Sequence, residues 1–165
     1  MRITDEQWTM IRKVFIKSVT SSFHCAVATV KNDGSPSVTP IGSLFLDKNR
    51  KGFYFEKFLM NIPENYQPHQ RVCILAVNSS KWFWLKSLFQ GKFNEPPAIR
   101  IRGTLGAKRK ATPAEIKKWR TMISPLRFLK GYHLLWAEMD YVREIDFDSF
   151  EPVRAGAMTQ DRTNQ

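Results

Sequence analysis

The chain is poor in acid, cysteine and histidine, and each shortage removes a class of function. Of its 165 residues only 15 are Asp or Glu against 26 Lys or Arg, a net charge of +11. Two cysteines, Cys25 and Cys73, cannot build a disulfide framework. Both fall in apolar runs, CAVATV and VCILAV, where a reduced thiol behaves as a small hydrophobe. His24, His69 and His133 are scattered without HxxxH or CxxC spacing, so no metal site is expected. No apolar run approaches the roughly 18–20 residues that span a bilayer. The opening MRITDEQWTMIRK is polar and unlike a leader peptide. These absences give the expectation of a cytoplasmic protein with no membrane partner. Neither a GxSxG elbow nor a GxGxxG loop occurs, which removes the ordered hydrolase triad and the dinucleotide pyrophosphate site.

What is present suits one globular domain. Hydrophobic residues make up 42% and charged residues 25%, the mix of a soluble fold with a real core. The positive excess leaves three readings open: a nucleic-acid backbone, a smaller polyanion such as a cofactor phosphate, or a solvated basic surface. No run of five like charges occurs, so no basic tail could bind alone.

Thr4 followed by Gln7 is a helix-start signal. Trp8, Ile11, Phe15 and Ile16 then predict one apolar stripe through about residue 18. Six strands follow: Cys25–Val30, Ser37–Leu46, Gly52–Lys57, Arg71–Asn78, Ala98–Leu105 and Tyr141–Phe150. Asn32-Asp33-Gly34 turns the first into the second, and close spacing of short strands implies a barrel or sandwich. Pro63 suggests a short helix over Asn61–His69. Thr112, Pro113 and Glu115 open a second long helix with a capping box. The domain is read as residues 1–154, with a polar tail over 155–165 expected to fray.

Ser79–Pro97 holds Trp82, Trp84, Phe89 and Phe93, too many large aromatics for an ordinary exposed loop. Lys81 and Lys86 interleave with them. Local core with a dimer contact, a lid over a ligand, and a base-stacking platform are the alternatives.

The succession of an Asn-Asp-Gly turn, VTPIGSLFL, GFYFEKF, a short helix, QRVCILAVN and AIRIRGTL resembles the FMN-binding split barrel of pyridoxamine 5′-phosphate oxidase-like proteins. The likeness covers roughly residues 20–106 and more loosely reaches about 154. It implies a mainly β fold, a six-stranded antiparallel split barrel with flanking helices. It also implies a homodimer with FMN at the subunit interface, acting as an oxidoreductase on a small organic substrate. By position the cofactor would meet Thr39, Pro40, Ile41, Gly42 and Ser43 on the second strand and Phe55, Glu56 and Lys57 on the third. The phosphate corner falls at Asn61 and Ile62. The Arg-Lys pair usual at that corner is absent here, and the substrate-binding Arg and His of the oxidases have no counterpart.

The residues themselves add to this. A helix start near Pro63 offers free N–H groups to an anion. Lys57 can add a charge-assisted bond, and Asn61 and Asn65 amide donors. Gly42 within a strand marks a bulge or a close backbone approach, as to a flat ring, and Pro40 an edge or bulge. Arg100 and Arg102 alternate with Ile99 and Ile101, so the isoleucines face the core and the arginines the other side. The resemblance implies that this side borders the dimer cleft, where a cation can balance a reduced flavin; a solvated strand face is the equal alternative. The alternatives are a non-catalytic basic barrel binding nucleic acid, only weakly and without sequence preference, or the same fold holding haem or a deazaflavin.

Overall fold

The computed structural model describes residues 3–56, 70–136 and 139–159. Helix α1, Asp5–Ser22, starts in the expected capping box: Gln7 N donates to Thr4 Oγ1 at 3.2 Å and Thr4 N to Gln7 Oε1 at 2.9 Å. It ends at Phe23, a left-handed residue with φ of 63° whose N–H returns to Val19 O. The buried stripe is Trp8, Ile11, Val14, Phe15 and Ser18, and Ile16 points outward. Ile16 sits one position beyond Phe15, about 100° around the helix, so the stripe continues through Ser18 instead.

Seven strands follow: β1 (Cys25–Val30), β2 (Pro36–Ile41), β3 (Leu44–Leu46), β4 (Lys51–Phe55), β5 (Arg71–Val77), β6 (Ala98–Lys110) and β7 (Tyr141–Pro152). They form one sheet in the order β2-β1-β5-β6-β7-β4-β3, with every pair antiparallel. The seventh strand arises because the expected Ser37–Leu46 strand is divided at Gly42-Ser43. Those two residues join β2 and β3, which lie at opposite ends of the strand order. Such a link spans only about 10 Å, so the sheet must curl until its edges meet there. This is a barrel split along one seam.

The core follows from alternation along the strands. On the concave side, Val27, Ile41, Tyr54, Ile74, Ile99, Ile101, Leu105 and Ile145 meet Trp8, Ile11 and Phe15 of α1. On the convex side of β4 and β7, a second cluster joins Phe53, Phe55 and Val142 to Trp119 and Ile123 of α3 (Pro113–Ile123) and Tyr132 of α4 (Lys130–Leu135). The aromatic insert contains helix α2, Lys81–Gln90, capped by Ser80 and closed by a left-handed Gly91. Strand β6 runs five residues beyond the expected Leu105. Its charged end pairs with β7, Lys108 opposite Arg143 and Lys110 opposite Tyr141, and Arg109 bonds Glu144 at 2.8 Å and Glu115 at 2.7 Å. The β6–β7 ladder shifts register at Arg102/Gly103. A side chain on Gly103 would meet Asp146 O at 2.4 Å, so the bulge requires glycine. Residues Gly156–Thr159 form a short 3-10 turn, and Phe93 N donates to Met158 O at 3.0 Å.

Candidate functional site

The corner that joins β2 to β3 gathers several residues expected at a cofactor site. Thr39 and Pro40 lie on β2, an edge strand of the sheet, and are half-buried and exposed respectively. An edge strand leaves one row of backbone groups open to a ligand. Ile41 turns into the core. Gly42 is explained by the protein itself: a Cβ there would lie 2.8 Å from the Phe23 carbonyl oxygen. The close approach is therefore to the end of α1. Ser43 is buried, and its hydroxyl donates to Phe55 O at 3.3 Å and accepts from Phe55 N at 3.2 Å. That reciprocal pair ties the seam to the end of β4.

The next residue, Glu56, is buried and held from two strands. Arg143 donates to it through Nε and Nη2, both at 3.1 Å, and through Nη1 to Gly106 O at 3.3 Å. Lys108 Nζ stands 3.6 Å from the same carboxylate and 5.1 Å from the centre of the Tyr141 ring. Tyr54 opposite Arg143 in the β4–β7 register belongs to the concave core, so the Glu56–Arg143 pair fills one end of the barrel interior. Among the described residues two cations, Arg143 and Lys108, meet the Glu56 carboxylate, and Lys57 follows directly in the chain. Lys108 is about half exposed, so its ammonium can meet an anion from solvent. Lys57, Asn61, Ile62 and Asn65 lie outside the described residues, as does the expected Asn61–His69 helix.

Arg100 and Arg102 belong to a different place. Both point to the outward face, as alternation required, and both reach Glu151, at 3.5 Å and 2.8 Å. The Arg102 hydrogen bond holds the Glu151 carboxyl below its ordinary range, and Arg71 does the same for Asp148. Along the strand, Arg102 and Lys108 are six residues apart, roughly 20 Å. The arginines are therefore not neighbours of the Glu56 cluster. They share the outward face with Pro40: the register runs Pro40, Ala26, Leu75, Arg100 across four strands. Three strand spacings amount to about 14 Å. Ala26, Ala28, Cys73 and Leu75 form a half-exposed apolar floor between them.

Arg143 and Lys108 are the site residues that sequence reasoning missed. Each lies in a strand segment whose charge pattern looks like solvent-facing surface, and only the register brings them to Glu56. Among the described residues no cluster of three or more His, Cys, Asp or Glu could hold a metal. A cleft of about 650 Å³ lies between α1 and α2, lined by Lys17, Trp82, Phe83, Lys86 and Glu95 among others. Among the described residues none of those expected at a cofactor lines it. Its cationic side is already occupied in part, since Lys13 and Lys17 both bond Glu95.

No protein-family model matches the sequence, and no curated protein matches it. Solved structures do. HupZ of Group A Streptococcus is 15% identical, with a TM-score of 0.55 over 88% of this chain and 95% of its own. A candidate pyridoxamine 5′-phosphate oxidase from Listeria innocua is 12% identical, with a TM-score of 0.53 over 88% and 99%. An FMN-binding protein from Syntrophomonas wolfei is 12% identical, with a TM-score of 0.52 over 91% and 94%. The fold is the split barrel of pyridoxamine 5′-phosphate oxidase-like proteins. At these identities the likeness concerns the backbone. The split barrel therefore supplies the frame, and its site has to be argued from this chain's own side chains. No helix among the described residues is long and apolar enough to cross a membrane.

Proposed function

We propose that this chain is an FMN-binding flavoprotein that oxidises or reduces a small organic substrate and works as a homodimer. The observation that carries the reading is the end of the barrel where, among the described residues, Lys108 and Arg143 meet the Glu56 carboxylate just before Lys57. It is set in a fold shared with an FMN-binding protein. A phosphate is a dianion or nearly so, and charge-assisted bonds from ammonium groups are among the stronger polar contacts. FMN is favoured over FAD because this corner suits one terminal phosphate and the sequence has no GxGxxG loop for a pyrophosphate.

The residues present fit the group in part. Lys57 and Lys108 would hold the phosphate, with Asn61 and Asn65 as amide donors and Ile62 at the same corner. The open edge of β2 at Thr39 and Pro40 would border the ring. Gly42, Ser43 and Glu56 have other duties: they hold the seam and the barrel end in place, and so fix where Thr39 and Lys108 stand. Bound flavin supplies the redox chemistry, while the protein supplies position and charge. Arg100 and Arg102 would act from the outward face, and in a dimer that face of one subunit can border the site of the other. Its half-exposed apolar floor carries Arg100, Arg102 and Glu151 at its margin. An isologous contact requires a self-complementary patch of this kind, with both signs of charge.

The test is the visible spectrum of the purified protein, followed by titration with FMN and light scattering at micromolar concentration. Saturable FMN binding by a dimer is expected. No flavin binding removes the functional reading, and a monomer removes the interface reading.

A further inference from the structure

Helix α2 turns its largest apolar residues to solvent. Trp82, Leu85, Leu88 and Phe89 are 72%, 62%, 60% and 92% exposed. Their spacing puts them on one side of the helix. The opposite side carries Phe83, Trp84 and Ser87, packed through ring contacts of Phe83 and Trp84 with Phe93 at 5.6 and 5.2 Å. Trp84 Nε1 also donates to Asn78 O at 2.6 Å. The helix is therefore fixed by one side, and the exposed side is not the result of a loosely held element.

The charge left unpaired around that side is positive, since Glu95, which lines the cleft beside Trp82 and Lys86, is held by Lys13 and Lys17 of α1. Lys81 and Lys86 lie on the helix and Lys92 just beyond its end, and no Asp or Glu occurs from Asn65 to Asn94. By helical geometry Lys86 lies at one margin of the apolar side and Lys81 at its N-terminal end. Long lysine stems can lie along apolar surface while the ammonium stays in water. A second copy of the chain is a poor occupant of this side, because a two-fold contact would bring Lys81 and Lys86 of both copies into one interface. A lipid surface with anionic headgroups complements both features: acyl boundary for Trp, Leu and Phe, and negative charge for the ammonium groups.

We infer that the Trp82–Phe89 side of α2 docks the protein on anionic membrane surfaces, lying in the interface without crossing it. The sequence expectation of no membrane partner rested on the lack of a spanning run, which a surface-lying helix does not need. The inference is independent of the flavin reading.

The experiment is co-sedimentation of the full chain with vesicles of phosphatidylcholine alone or with about a third phosphatidylglycerol. Binding is expected only to the anionic vesicles and should fall steeply as salt rises, since surface charge is screened within about 10 Å at 0.1 M. Leu85→Glu with Phe89→Glu changes only exposed positions and should weaken binding at least tenfold with an unchanged circular dichroism spectrum. Lys81→Gln and Lys86→Gln should each cost roughly fivefold. Phe128→Glu, at an equally exposed residue on another element (82%), should leave binding unchanged. Absence of binding to anionic vesicles overturns the inference. So does equal loss with Phe128→Glu. A dimer that the α2 variants convert to monomer, with vesicle binding unaltered, assigns the surface to a second copy and overturns it as well.

Discussion

Arg143 and Glu56 form a two-pronged ion pair inside one end of the barrel, with both side chains almost wholly withdrawn from solvent. The partners come from β7 and the residue after β4, 87 positions apart in the chain. Desolvating two charges is expensive, and only close geometry with further hydrogen bonds offsets it. Here Gly106 O accepts a bond from the guanidinium, and Lys108 approaches the carboxylate.

Removing one partner should therefore cost far more than the pair contributes. Arg143→Met is expected to destabilise the protein by about 3–5 kcal/mol, because it strands a buried carboxylate. The double change Arg143→Met with Glu56→Leu should recover much of that loss. Urea unfolding of the two variants and the parent checks this, and a single variant within 1 kcal/mol of the parent would show that water reaches the pair.

Cys25 offers a pH test of the core. Burial pushes its thiol from 9.0 up to about 12, since an apolar strand disfavours the thiolate. The folded state thus holds this proton more tightly than the unfolded chain. Its contribution to stability is complete below pH 9 and is lost as pH rises toward 12. At about 1.4 kcal/mol per unit, the loss amounts to roughly 4 kcal/mol. Cys25→Ala should flatten the alkaline limb of the stability profile measured by urea unfolding. In native protein at pH 8, Cys25 should resist a thiol reagent until denaturant is added; prompt labelling would show that the strand opens.

Most strands were legible because their alternation is plain: Ile99 and Ile101 inward, Arg100 and Arg102 outward, with register and burial in agreement. The capping boxes at Thr4 and Thr112 were equally plain. The seam was not. VTPIGSLFL reads as one strand, and although Pro40 marks an edge and Gly42 a close approach, nothing local shows that the chain passes there from one edge of the sheet to the other. The far end of β6 was hidden for another reason. Its sequence AKRK carries the charge of a loop, and the carboxylates that neutralise Arg109 lie on β7 and α3. The same long-range pairing hid Arg143 and Lys108 from the site.

Gly42 connects that seam to stability. A methyl group added there meets the Phe23 carbonyl oxygen at 2.8 Å, and this neighbour is backbone in a left-handed helix end that cannot easily give way. Gly42→Ala should cost about 1–3 kcal/mol, in the range of other overpacked sites. The midpoint in urea should fall with the slope unchanged, since the surface exposed on unfolding is the same. Stability equal to the parent would mean that α1 shifts freely at its end.

The cofactor prediction separates phosphate from ring. Lys57→Ala removes one charge-assisted bond, worth about 1.5–3 kcal/mol when well formed. FMN affinity should then fall roughly ten- to hundred-fold. Lys108→Ala should cost less, under about tenfold, because its ammonium is half exposed and screened by water. Lys57→Ala with Asn61→Ala should give colourless protein that keeps its circular dichroism spectrum and unfolding midpoint. Riboflavin is the control, for it carries the same ring without the phosphate. Its affinity should be unaltered by all three variants. If FMN and riboflavin weaken together, these side chains act on the ring or on the fold. If FMN affinity is unchanged in the double variant, the phosphate is bound elsewhere, and the Arg100–Arg102 face becomes the next place to mutate.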